Sequence, residues 1–294
     1  MKLNAQQFAQ FRAFGFCIFR GLFDAAELRV LEDELTRVLT KEFGDAPVDG
    51  TARQWTLMTR PETPAHESLL EDPRFLDVAE ELYGEDVIGV LCEANRFMGG
   101  TGWHPDTVGE HHYGIRFLFY LQPLHAGNGA LRVIPGSHHQ PLHNEVDRFL
   151  REVQPAVDAV PAVVLNSHPG DVIAYDMRLW HASAHGEPGR RAAAVMYYHN
   201  PKSPEEIATA QQMDRLSRAH LRDFRKGARA EEASGPGTFV NPMFDERWIE
   251  NRANSARRAR WIARLREIGF LDAPDAVSKG AGQDDGPGPS PRRS

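Results

Sequence analysis

Apolar residues recur at helical spacing near the start of the chain, give way to short strand-like runs, and return to helical spacing toward the end. Residues 4–15 place Asn4 before an amphipathic stretch and Gly15 after it, a capping side chain and a stop that predict a short helix. Residues 16–20 read as a strand broken by Gly21. Asp24 followed by Glu27 then has the reciprocal spacing of a capping box. Leu28, Leu31, Leu35, Val38 and Leu39 share one face, so a helix is expected to about residue 41. Residues 42–64 show no clear period, and residues 73–83 read as a further helix closed by Gly84. Strand-like runs follow at 87–98, 102–106, 114–122, 130–134, 161–166, 171–176 and 190–199, separated by Gly, Pro and Asn clusters. Helices followed by many short strands is the order of an α+β protein whose sheets close into a sandwich or barrel. The helical period resumes over 203–271, with a break at Gly235, Pro236 and Gly237, and the Gly/Pro-rich stretch 272–294 is expected to be disordered. The expected organisation is a main domain at 1–202, a helical extension or lid at 203–271 and a tail.

Composition narrows the function classes. With 41% hydrophobic and 26% charged residues over 294 positions, the chain has the balance of a globular protein and not of a fibrous one. A net charge of −7 offers no positive field to a phosphate backbone, so no nucleic-acid partner is expected. No apolar run approaches the roughly 18 residues that span a bilayer, and the N-terminus lacks a signal-peptide profile. No membrane partner is expected either. Cys17 and Cys92 sit inside apolar runs and read as buried thiols in a reducing, cytoplasmic setting. The 13 histidines direct attention to metal chemistry.

The sharpest signal is Trp103-His104-Pro105-Asp106. On a strand, His104 and Asp106 would point to the same face and could aim an imidazole and a carboxylate at one ion. A third ligand is available in His181, which follows the strand 171–176 across a turn. Two histidines and a carboxylate form the facial triad of non-haem Fe(II), which leaves positions for a chelating cosubstrate and O2. The same donors suit Zn(II) with a bound water, so a zinc hydrolase is the competing class. Arg190 and Arg191 follow His181 after the turn at 186–189. If the flanking strands pair as a hairpin, one arginine reaches the iron's neighbourhood, where its fork can hold the distal carboxylate of 2-oxoglutarate. Neighbours on a strand face opposite ways, so only one of the two can do so. A hydrolase needs no such arginine. Glu110, His111 and His112 follow Asp106 in a loop expected to rim the open face of the metal, and are candidate substrate contacts. His138 and His139, after the turn at 135–137, read as structural, and Trp248 and Trp261 as packing anchors. Arg215, Arg218, Arg222, Arg225, Lys226 and Arg229 form a stripe at helical spacing, ordinarily a solvated face and more pointedly a lid attracting an anionic substrate.

These residues carry a family resemblance. Residues 8–23 (FAQFRAFGFCIFRGLF), Trp103 to Asp106, residues 127–138 (GNGALRVIPGSH), and the run from Gly170 through His181 and Ser183 to Arg190, Arg191 and Ala192 together resemble the phytanoyl-CoA dioxygenase family. The likeness extends over about residues 5–200. It implies a double-stranded β-helix (jelly roll, cupin-like) core, with N-terminal helices packed on one sheet and a C-terminal helical appendage. It implies Fe(II) held by His104, Asp106 and His181, with 2-oxoglutarate and O2 as cosubstrates and a hydroxylated small molecule, succinate and CO2 as products. By the same resemblance Arg190 is favoured for the distal carboxylate, with Arg191 as alternate, and Ser183 and Asn95 are further cosubstrate contacts. The interval between His181 and the arginine is shorter than the family's usual one. Halogenating relatives replace the carboxylate by a small residue. Asp106 therefore implies hydroxylation, desaturation or ring formation. A non-catalytic jelly-roll binding protein is the remaining alternative, and intact ligands argue against it.

Overall fold

The computed structural model describes residues 2–44, 46–50, 53–107, 110–224, 244–251 and 253–271. The N-terminal caps form as the sequence requires. Asn4 accepts from the Gln7 amide at 2.8 Å and Gln7 accepts from the Asn4 amide at 3.0 Å, which starts α1 (Ala5–Phe14). Gly15 ends it in a left-handed conformation, φ 82°, which a Cβ would strain. After β1 (Phe16–Phe19), the Asp24 and Glu27 box opens α2 (Ala25–Phe43). The stretch without a sequence period contains β2 (Gln54–Leu57), four residues buried in full, whose register comes from its partner strand and not from alternation. Short α3 (Pro64–Ser68) and α4 (Pro73–Tyr83) follow.

The strands are β3 (Ile88–Arg96), β4 (Gly99–His104), β5 (Gly114–Tyr120), β6 (Leu131–Val133), β7 (Val163–Leu165), β8 (Val172–Asp176), β9 (His181–Gly186) and β10 (Arg191–Tyr198). Between β6 and β7 the chain also forms α5 (Leu142–Val153), which the strand pattern did not announce. Two antiparallel sheets result, ordered β1-β8-β5-β10-β3-β2 and β4-β9-β6-β7. They face each other as the jelly roll that the resemblance implied. The outer face of the six-stranded sheet is covered by α1, α2 and α4, through a core that includes Leu31, Leu35, Phe75, Phe117, Val195 and Tyr197. Leu118, Tyr120, Leu131, Val133, Ile173, Tyr175, Ala192 and Ala194 fill the space between the sheets. Alternation along β10 divides these sets: Ala192 and Ala194 point inward, Ala193 and Val195 outward.

The helical return at the C-terminus is α6 (Pro204–Phe224), α7 (Glu246–Ile249) and α8 (Ala256–Glu267). Trp248 and Trp261 are buried packing residues. Trp261 lies against Gly89, where a Cβ would come within 2.6 Å of its ring, and donates its indole N–H to the Val87 carbonyl at 2.9 Å. Arg258 pairs with Glu67 and Glu71, and Arg257 with Glu80, tying α8 to α3, to the turn after it and to α4. The break at 235–237, the basic positions Arg225, Lys226 and Arg229, the side chains of Arg218 and Arg222, and the tail 272–294 lie outside the described residues. No helix among the described residues is long and apolar enough to cross a membrane.

One glycine is required by close approach. A Cβ on Gly114 would overlap the Tyr197 carbonyl oxygen and lie 2.9 Å from the Tyr198 Cα, all backbone of the paired strand β10. Gly114→Ala is expected to cost more than about 3 kcal/mol, because it pushes apart two central strands, of which β5 carries the interior Arg116 and β10 begins directly after Arg190. Urea unfolding measures it; a loss under about 1 kcal/mol would show that the pairing yields freely.

Candidate active site

His104 is the last residue of β4 and pairs directly with His181, the first of β9. Strand pairing, and not strand alternation, thus supplies two imidazoles, with ring centres 4.4 Å apart. Asp106 lies beyond the end of β4, contrary to the strand expected over 102–106. It is placed by its amide, which donates to the Met177 carbonyl at 2.8 Å in the turn before His181. His181 follows β8 across the turn at 177–180, as the sequence reading had it, and itself opens β9. Its strand β9 (HASAHG) is made of small and polar residues that carry no apolar run.

The three side chains converge, with one donor atom from each within 4.8 Å of the others. Asp106 Oδ1 lies 3.9 Å from His104 Nε2 and 3.6 Å from His181 Nε2. Both rings are oriented from behind: His104 Nδ1 is 2.7 Å from the Gly102 carbonyl and His181 Nδ1 is 2.9 Å from that of Leu179. A carbonyl only accepts, so Nδ1 carries the proton and Nε2 keeps its lone pair. Burial brings His181 down to about 4, Asp106 pulling the other way, so the ring is neutral at physiological pH. These are the donor types, tautomers and spacing that a divalent transition metal takes.

The two arginines part at the start of β10, although not as a hairpin. β9 and β10 belong to different sheets, and the turn between them, residues 187–189, is exposed. Arg190 is buried, donating to the Gly129 carbonyl at 2.7 Å and to the Gly99 carbonyl at 3.2 Å. Arg191 turns outward to Glu32 of α2 at 2.7 Å. Ser183, two residues along β9 from His181, accepts from the Thr101 amide at 3.3 Å, while Asn95 shares the interior face of β3 with Glu93. The rim loop divides. Glu110 and His111 have side chains 60% and 54% exposed, whereas His112 is 1% exposed, with its ring 4.3 Å from that of Tyr198. His138 is buried beside Gly15, and burial brings it down to about 4.

Several interior polar residues escaped the sequence reading. Asp106 Oδ2 accepts from the Tyr175 hydroxyl at 2.8 Å and from Arg116 at 3.1 Å, and Arg116 also pairs with buried Glu93. Arg53 donates to Thr101 Oγ1 at 2.9 Å. Its guanidinium lies 4.8 Å from the centre of the Phe97 ring, on which Arg190 also borders at 5.8 Å. Burial, with Arg116 and Arg190 nearby, brings Arg53 down to about 10. A charge in the middle of an apolar strand, as at Glu93 in VLCEAN or Arg116 in GIRFLFY, was the available signal.

Solved structures share the fold. AviO1 from Streptomyces viridochromogenes Tue57 superposes with a TM-score of 0.54 at 24% identity, over 68% of this chain and 96% of its own. EctD from S. alaskensis, solved with 2-oxoglutarate and 5-hydroxyectoine, gives 0.52 at 22% identity over 69% and 79%. The epimerase SnoN, in complex with Fe3+, alpha ketoglutarate and nogalamycin RO, gives 0.53 at 17% over 82% and 93%. No curated protein sequence matches. The sequence profile of the phytanoyl-CoA dioxygenase (PhyH) family matches residues 11–192, which hold β1 to β9, the start of β10 and all three converging side chains, and the chain belongs to that family.

Proposed function

We propose that His104, Asp106 and His181 hold one Fe(II), that Arg190 receives the distal carboxylate of 2-oxoglutarate, and that the enzyme oxidises a C–H bond of a small molecule. The observation that carries this is the convergence of three donor atoms within 4.8 Å, each ring held by a carbonyl behind it. When bound, iron with 2-oxoglutarate and O2 supplies the oxidation of an unactivated C–H bond, releasing succinate and CO2. The protein's part is placement. His104 and His181 present Nε2, Asp106 presents one oxygen, and Ser183 and Asn95 line the way toward Arg190. Asp106 fills the position that halogenating relatives leave to chloride, which favours hydroxylation, desaturation or ring formation. Of the rim loop, His112, buried against Tyr198, is the residue assigned to substrate contact, and α6 and α8 form a helical extension against the six-stranded sheet. Two buried free thiols, Cys17 and Cys92, accord with a reducing cytoplasm.

The test is succinate formation from 2-oxoglutarate that requires Fe(II) and O2 and that Zn(II) does not support. Turnover of an ester or amide with Zn(II), and no succinate, would instead favour the hydrolase. The arginine assignment is tested separately. A planar fork gripping a carboxylate is not reproduced by an ammonium. Arg190→Lys is therefore expected to raise the KM for 2-oxoglutarate by about 10-fold or more, the effect of losing one charge-assisted contact, with metal affinity unchanged. Arg191→Lys should leave both as in wild type; the reverse pattern would transfer the role to Arg191.

A further inference from the structure

The two oxygens of Asp106 have different surroundings. Oδ1 faces the two imidazole nitrogens, at 3.6 and 3.9 Å. Oδ2 is held by the Tyr175 hydroxyl at 2.8 Å and by Arg116 Nη1 at 3.1 Å. Two donors occupy the acceptor directions of that oxygen. The donors are themselves fixed. Arg116 Nη2 pairs with Glu93 Oε1, and Glu93 Oε2 accepts the Trp55 indole N–H at 2.7 Å. Glu93 on β3 reaches Arg116 on β5 across the intervening strand β10, where the residue paired with Glu93 is Ala194, too short to stand between them. Tyr175 lies opposite Arg116 on β8. Two interior side chains, Tyr175 and Arg116, therefore end on one carboxylate oxygen, and Glu93 and Trp55 extend the chain of contacts to β3 and β2 of the same sheet.

We propose that Arg116 and Tyr175 are positioning residues that make Asp106 a one-oxygen ligand, keeping a coordination position open that a two-oxygen carboxylate would close. The proposal rests on the reading that His104, Asp106 and His181 hold the metal. Glu93 and Trp55 act one step further out, holding the guanidinium in the plane from which one nitrogen reaches each carboxylate. A lysine at 116 could not serve both acids with the same geometry.

Mn(II), which binds such sites without turnover, is the probe. Wild type and Asp106→Ala set the frame: a wild type that binds no Mn(II) overturns the metal-site reading and this proposal with it. Tyr175→Phe removes one donor. The paired change Glu93→Gln with Arg116→Gln removes the other without leaving a buried charge alone. Each is expected to weaken Mn(II) binding by about 10- to 100-fold, the usual effect of losing an outer partner of a ligand, read from the EPR signal of free ion. Each is also expected to lower the water-proton relaxation per bound Mn(II), because the released Oδ2 takes a position that water held. Packing damage alone weakens binding and leaves relaxation per bound ion as in wild type. That result in both variants would overturn the proposal while leaving the metal site standing.

Discussion

Replacing His181 by alanine is expected to reduce Fe(II)-dependent succinate formation by more than about 100-fold, since losing only an outer partner of a metal ligand costs 10- to 100-fold. The imidazole is buried and neutral, its Nδ1 held by the Leu179 carbonyl and its Nε2 3.6 Å from Asp106 Oδ1. Removing it takes away one of three donors, with only solvent to replace it. His104→Ala is expected to act in the same direction. Asp106→Asn is the better third variant, because Asp106→Ala would strip the acceptor from Tyr175 and leave Arg116 facing one acid instead of two. The fold should survive in all three, since His104 ends β4, His181 begins β9, Asp106 lies just past β4, and none belongs to the two apolar cores. Circular dichroism checks folding, and chromatographic succinate assays check activity. A folded His181→Ala protein with wild-type turnover would remove this residue from the metal site.

That triad could be read from the sequence because the chemistry demands unusual residue types at short spacing, and His-Pro-Asp is unusual at the end of a strand. Its geometry could not. The argument from strand alternation named a pair that does converge, by a route the structure does not follow, for Asp106 lies past the strand and is set by a bond to the Met177 carbonyl. Capping side chains at Asn4 and Asp24 marked their helices because both partners of each box lie within one turn. β2 and β9 left no such mark: one is buried on both faces, the other composed of small residues, and each is specified by the strand beside it. The bonds that join Glu93 to Arg116, and Arg116 and Tyr175 to Asp106, share that origin. They join residues 10 to 69 positions apart in the chain, and nothing local distinguishes a buried arginine that will meet a carboxylate from one that caps a sheet edge. Family resemblance carried the jelly roll and the inward arginine further than periodicity could.

His112→Phe is expected to remove a large part of the protein's acid sensitivity. The imidazole is 1% exposed, and neither ring nitrogen has a hydrogen-bond partner among the described residues. It packs edge-on against Tyr198 and lies near His199 and Phe270. Burial, reinforced by His199, brings it down to about 3. In the unfolded chain the same group titrates near 6.5. Below that pH the unfolded state takes up a proton that the folded state refuses, so stability is complete above about 6.5 and is lost as the pH falls toward 3. Between pH 7 and pH 5 the loss from this group comes to about 2 kcal/mol, and His138, also depressed, adds to it in the same window. Phenylalanine fills nearly the same space, carries no proton and leaves no buried nitrogen unsatisfied. Urea unfolding at the two pH values should therefore show a drop about 2 kcal/mol smaller in His112→Phe than in wild type. Equal drops would mean that the ring is protonated or solvated in the folded state.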